Sequence, residues 1–214
     1  MKTIATFDAL DPAGIVTIEK LNNGLSCGEA AVTFKDFYLA LKEVMEQDNT
    51  DDTHLSSGVL PKGCVKHEIL SKTGDKQSVW IEVPKMQWDI KFFERTFNQV
   101  GFPRLLFRYT VYQTRVTNIS VYAVPEKMEL EEGMTLYKFP YSNVQANGSV
   151  CTGLVSIPEI RMLKDLETFH VLFFASSFNH DLSNSQTMPV GEIFKRFEGN
   201  VFDDAMLIPS NITF

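Results

Sequence analysis

The chain has too few cysteines for a disulfide framework. Cys27, Cys64 and Cys151 form an odd and sparse set among 214 residues, which points to a reducing compartment rather than to a cross-linked secreted domain. Nowhere do 18 apolar residues follow one another, so no membrane-spanning helix is expected. The start, MKTIATFDALDP, carries one lysine and no apolar run of signal-peptide length. In such a compartment the sequons at Asn118, Asn147 and Asn211 carry no meaning, because glycosylation needs secretion. Basic charge is scarce as well: 20 Lys and Arg against 27 Asp and Glu give a net charge of −7. The densest basic stretch, residues 85–108, is interrupted by Asp89, Glu94 and several aromatics. An acidic chain without a basic patch repels phosphates. The expectation is a soluble cytoplasmic protein that binds neither nucleic acid nor membrane.

Familiar chemical motifs are also missing. There is no G-x-x-x-x-G-K-[ST], no G-x-G-x-x-G and no G-x-S-x-G, which removes support for phosphate-loop, dinucleotide and hydrolase-elbow chemistry. There is no C-x-x-C or H-E-x-x-H, and the four histidines are scattered at 54, 67, 170 and 180. No metal or other cofactor is expected. Paired acids such as Asp51-Asp52, Glu131-Glu132 and Asp203-Asp204 sit in polar stretches and read as solvated surface.

What is present is core material: 44% of residues are hydrophobic and 12% aromatic, enough to exclude intrinsic disorder. Gly14 to Lys20 reads as a strand, followed by a turn at Asn22-Asn23-Gly24. Thr33 is placed as the N-cap of a helix whose core face is Phe34, Phe37, Tyr38, Leu41, Val44 and Met45. Residues 47–58 are polar and turn-rich and are expected to be a mobile loop. Five strands follow, at 64–70, 78–83, 88–93, 104–112 and 118–124. Their short connections predict an antiparallel β-meander, with Pro84 and Pro103 at strand ends. Residues 136–151 look loop-like, with a strong turn at Asn147-Gly148. Pro158 is expected to open a helix with Ile160, Leu163, Leu166, Phe169, Leu172 and Phe173 buried, and Pro189 a shorter one ended by Gly199. Strands first and helices after predict an α+β fold. Its core domain is expected over 56–214, with residues 1–55 as an N-terminal extension packed on the same core.

Among the thiols, Cys27 and Cys64 read as small buried hydrophobes. Cys151 differs: it follows an Asn-Gly turn on an irregular segment, where a cysteine can be exposed and, as the thiolate, attack a carbonyl.

The stretch Asn143-Val144-Gln145-Ala146-Asn147-Gly148-Ser149-Val150-Cys151 resembles the active-site segment of ubiquitin-conjugating enzymes. In that family a His-Pro-Asn triplet precedes the thioester-forming cysteine by eight residues, counted from the Asn, with a glycine turn and an apolar residue in between. Asn143 and Cys151 show that spacing, and Gly148, Val150 and the later Pro158 fit the layout. Tyr141-Ser142 stands in place of His-Pro. Four segments further resemble the prokaryotic, ubiquitin-conjugating-enzyme-like family called PRTRC system protein B: residues 79–84 (VWIEVP), 102–107 (FPRLLF), 136–144 (LYKFPYSNV) and 173–180 (FFASSFNH).

The resemblance implies a ubiquitin-conjugating-enzyme-like fold and a transferase that holds a ubiquitin-like protein as a thioester on Cys151 before passing it to an amine. It implies as partners a ubiquitin-like protein, an activating enzyme of the ThiF type and a JAB-type deconjugating protease. Asn143 would be the oxyanion donor or would hold the loop that positions the site. His180 would be a base or thiolate-stabilising partner for Cys151, or a residue capping or lining the end of the long helix. His170 reads as packing or surface. The competing reading is a non-catalytic module of the same fold that binds a ubiquitin-like protein, and a structural subunit with an inert Cys151 is a third.

Overall fold

The computed structural model describes residues 2–7, 14–47, 56–151, 153, 156–183 and 188–214. The chain divides into two compact units, residues 1–55 and 56–214. In the first, β1 (Lys2–Phe7), β2 (Ile15–Asn22) and β3 (Leu25–Thr33) form an antiparallel sheet in that order. The β2–β3 turn has Asn23 at φ 49° and Gly24 at φ 84°, the pair of left-handed residues that suits a two-residue hairpin. Then comes α1 (Phe34–Gln47). Its expected cap is present: Thr33 Oγ1 accepts the Asp36 N–H at 3.1 Å and donates to the Asp36 carboxylate at 2.6 Å.

The expected core face of α1 is corrected. Phe34, Tyr38, Leu41 and Val44 are exposed and Phe37 only half-buried. Phe34 meets Phe7 edge-on at 5.6 Å, but Val16 is the one buried residue among those described in this unit. Three short strands supply too little surface to cover a 14-residue amphipathic helix. The Met45 side chain and most of the expected mobile loop, 48–55, lie outside the described residues.

The second unit runs β4 (Cys64–Ile69), β5 (Lys76–Val83), β6 (Met86–Phe92), β7 (Arg95–Phe102), β8 (Arg104–Tyr112), β9 (Arg115–Val124) and β10 (Thr135–Lys138). A 3-10 segment (Leu163–Thr168), α2 (Phe169–Ala175), β11 (Ser177–Phe178), α3 (Val190–Phe197), a second 3-10 turn (Asp204–Met206) and β12 (Pro209–Thr213) complete it. Among the described residues six strands form one antiparallel sheet, ordered β12-β10-β9-β8-β5-β4. The architecture is mixed α+β, mostly antiparallel. No helix among the described residues is long and apolar enough to cross a membrane.

The meander expectation holds for β4–β5 and β8–β9, and β10, most of it in a stretch expected to be loop-like, extends the sheet beyond β9. The expectation fails between β5 and β8. There β6 and β7, the latter not anticipated, form a hairpin that leaves the main sheet and builds a second one, ordered β11-β6-β7, with β11 parallel to β6. Pro84 and Pro103 bracket the excursion. Neither has an N–H to donate, so the ladder stops at both and β5 pairs directly with β8, Val83 opposite Leu105.

Alternation along the strands gives the main sheet two buried faces. Val79, Ile81, Val83, Leu105, Phe107, Tyr109, Val121 and Ala123 face a large core completed by Leu166, Phe169, Phe173 and Phe174. Trp80, Leu106, Tyr122, Val124 and Leu136 face a smaller one, flanked by Met128, Leu130, Met134 and Phe214. Full burial of each such side chain contributes about 1.5–3 kcal/mol before entropy is counted.

The helix expected from Pro158 starts later and is broken in two. The Ile160 N–H donates to Thr114 C=O at 2.8 Å, so this segment docks on the β8–β9 turn instead of coiling. The Asp165 carboxylate then accepts the N–H groups of Arg161 (2.8 Å) and Met162 (3.2 Å), and the 3-10 turn begins at Leu163. By contrast α3 follows Pro189 as expected, buries Ile193, Phe194 and Phe197, and is followed by Gly199 at φ 72°.

Candidate functional site

Residues 143–151 form a small hairpin whose two ends are Asn143 and Cys151. The Cys151 N–H donates to Asn143 C=O at 2.8 Å, and the Gln145 N–H donates to Ser149 C=O at 2.9 Å, bracketing a Val144–Val150 bridge. The tip is closed by Gly148 N–H to Gln145 C=O at 2.8 Å, with Gly148 at φ 87°, a type I turn followed by a left-handed glycine. The eight-residue spacing in the sequence thus becomes a direct backbone contact.

The hairpin is fastened on three sides. Past Lys138 the chain swings away from β9, then returns beside it: Gly148 C=O accepts the Val121 N–H and the Val150 N–H donates to Ile119 C=O, both at 2.9 Å. Tyr122 supports the tip from below, its hydroxyl donating to Asn147 C=O at 2.9 Å. A Cβ on Gly148 would stand 2.3 Å from the Tyr122 ring, so only glycine fits there. On the third side the segment after α2 folds back. Asn143 N–H donates to Asp181 C=O at 3.1 Å, and Asn143 Nδ2 donates to Ser177 C=O at 3.0 Å.

Asn143 is buried, and its φ of 65° is a left-handed conformation that asparagine tolerates better than most residues. Tyr141, two residues before Asn143, is wholly buried. Its ring stacks on Phe194 at 4.6 Å and its hydroxyl donates to Gly101 C=O, while burial pushes the phenol well above its ordinary value. Ser142 is buried too, its hydroxyl without a partner among the described residues.

The Cys151 thiol is exposed on this fastened backbone, open to a carbonyl that it could attack as the thiolate. Of the three residues singled out in the sequence, the structure joins Asn143 to Cys151 and joins Asn143 to the segment that carries His180. The His180 ring itself is exposed and rests against Phe92 and Phe93, with centroids at 5.1 Å from each. His170 lies elsewhere, half-buried near Phe107 and Phe174 and lining a cavity of about 540 Å3 with Lys62, Ile81, Val83 and Glu167. Burial pushes its imidazole below the ordinary value.

The reading of the other thiols is corrected. Cys27 is exposed on its thin three-stranded sheet, and Cys64 is half-buried at a sheet edge, where burial pushes its thiol up. Among the described residues no group of three or more His, Cys, Asp or Glu side chains could hold a metal ion. Sequence reasoning missed Ser177 and Asp181, which serve the site through backbone carbonyls that no side-chain pattern announces. It also missed Asn118, whose carboxamide accepts from Ser149 Oγ at 3.1 Å and donates to Ser120 Oγ at 3.0 Å.

The family model described as prokaryotic E2 family D matches residues 42–205. Comparison with curated proteins and with solved structures gave no match.

Proposed function

The chain belongs to prokaryotic E2 family D, and we propose that it works as a ubiquitin-conjugating-like transferase with Cys151 as its acyl acceptor. The observation that carries this reading is the exposed Cys151 thiol at the end of a hairpin whose backbone Asn143 holds at 2.8 Å. The donor is a ubiquitin-like protein bound through its C-terminal carboxyl to a ThiF-type activating enzyme. The Cys151 thiolate attacks that thioester carbonyl, a new C–S bond forms, and the activating enzyme's thiolate leaves. An amine then attacks the Cys151 thioester, loses a proton to solvent and releases the thiolate. A JAB-type protease would reverse the modification, as the resemblance to PRTRC system protein B suggests, and the setting is the cytoplasm.

Asn143 serves here as a positioning residue. Its carboxamide is directed at Ser177 C=O, so an oxyanion role would require that hydrogen bond to be exchanged during the reaction. His180, exposed beside Phe92 and Phe93, is assigned to the wall of the site rather than to proton transfer. The test is a charging assay with a ThiF-type activating enzyme and ubiquitin-like protein from the same gene neighbourhood, ATP, and a non-reducing gel. A reductant-labile adduct that is lost in Cys151→Ala supports the transferase. If the activating enzyme charges itself and this chain takes nothing from it, the non-catalytic binding module is the better reading. The commitment of the Asn143 carboxamide to Ser177 is what favours that second reading.

A further inference from the structure

The hairpin that presents Cys151 has a second polar feature, on β9. Val150 packs against the large core. Side chains alternate along an extended segment, so Ser149 and Cys151 turn to the opposite side, about 7 Å apart along the chain. On that side Ser149 Oγ donates to Asn118 Oδ1 at 3.1 Å, and Asn118 Nδ2 donates to the buried Ser120 Oγ at 3.0 Å. A carboxamide has two N–H donors. One is spent on Ser120, and Asn118 itself is exposed. Two side chains therefore fix the orientation of an amide whose second N–H has no acceptor among the described residues, and one of the two, Ser149, lies one extended step along the chain from Cys151.

We propose that Asn118 binds the acyl chain carried by Cys151, its second N–H donating to a main-chain carbonyl of the C-terminal peptide segment one or two residues before the thioester. The substrate class is an extended peptide, because only a chain with carbonyls spaced along it offers an acceptor at that distance from the sulfur. Asn118 does not touch the reacting carbonyl; it holds the chain that bears it. This inference rests on Cys151 being the acyl acceptor.

The test avoids the unidentified protein donor. Full-length protein is mixed with either of two small thioesters of 2-mercaptoethanesulfonate, one of a hexapeptide and one of acetate. Acylation of Cys151 is followed by mass spectrometry of its proteolytic peptide. Cys151 displaces the leaving thiolate in both reactions, but only the hexapeptide has main-chain carbonyls for Asn118. In Asn118→Ala the hexapeptide rate is expected to fall about fivefold, the effect of one neutral hydrogen bond, with the acetyl rate unchanged. Ser149→Ala, which frees the amide to rotate, should show a smaller loss on the hexapeptide alone. Equal rates for wild type and Asn118→Ala on the hexapeptide, or an equal fall on both thioesters, would overturn the role of Asn118 while leaving Cys151 as acceptor. If wild-type Cys151 takes neither acyl group, the acceptor reading falls and this proposal with it.

Discussion

Replacing Gly148 by alanine probes the support of the Cys151 hairpin most directly. Two effects add. At φ 87° a Cβ meets backbone strain of about 1–2 kcal/mol, since L-residues avoid the left-handed region. The new methyl would also lie 2.3 Å from Tyr122 Cε1 and 2.5 Å from Cζ, so the ring must shift. That shift loses the hydroxyl's hydrogen bond to Asn147, about 1 kcal/mol, and disturbs a ring stacked at 5.9 Å on Trp80, for which overpacking costs about 1–3 kcal/mol. Stiffening of the unfolded chain returns about 0.4–1 kcal/mol. Gly133, at φ 83° with nothing within 4 Å of its would-be Cβ, supplies the control, because it carries the strain without the clash. Urea unfolding should show Gly148→Ala less stable than Gly133→Ala by about 2–4 kcal/mol, the packing and hydrogen-bond terms alone. Adding Tyr122→Leu should recover much of that difference in a double-mutant cycle. Equal destabilisation by the two glycine substitutions would refute the argument that Tyr122 sets the requirement at 148.

Two further outcomes are expected. Asn143→Ala removes the donor to Ser177 and a residue suited to φ 65°; it should lower stability by about 1–3 kcal/mol, while Asn143→Gly, checked by the same unfolding curves, should lose less because it keeps the backbone conformation. The second concerns pH: burial holds His170 below its ordinary 6.5, so the unfolded chain binds the proton more readily. The stability this residue contributes is complete above pH 6.5 and falls as pH drops towards the folded value; the thermal midpoint of wild type should therefore fall further on acidification than that of His170→Gln, and a larger fall in the variant would contradict the sign.

Much of the main sheet was legible because its strands carry β-branched and aromatic residues in alternation, as in Leu105, Phe107, Tyr109 and Val111. The Thr33 cap and the Asn147-Gly148 turn were legible because their chemistry is local. β7 escaped notice because RTFNQVGF mixes polar residues into an edge strand of the smaller sheet. The meander was over-extended because pairing partners are chosen in space. Pro84 and Pro103 marked where the ladder had to break, but not that the strands between them would join β11. The stripe on α1 shows that helical periodicity reports an amphipathic face and not what covers it. At the candidate site, the Asn143–Cys151 spacing was readable, whereas Asn118, Ser177 and Asp181 enter only through contacts made by the folded chain.

The fastening of the hairpin also sets an order of events during folding. Its tip, closed between Gln145 and Gly148, involves near neighbours and can form within microseconds. Its anchors are asymmetric in time during synthesis: Ile119, Val121 and Tyr122 precede it in the chain, whereas Ser177 and Asp181 are added about thirty residues after Cys151. A nascent chain that has only just exposed Cys151 therefore holds it on a backbone that β9 and Tyr122 can fasten but that lacks the third attachment. The cysteine reaches its final setting only after α2 and the segment behind it have emerged and docked. The final placement of Cys151 is thus a late event in the completion of this unit, and a chain truncated before residue 177 would carry the cysteine without the Ser177 and Asp181 contacts that hold Asn143.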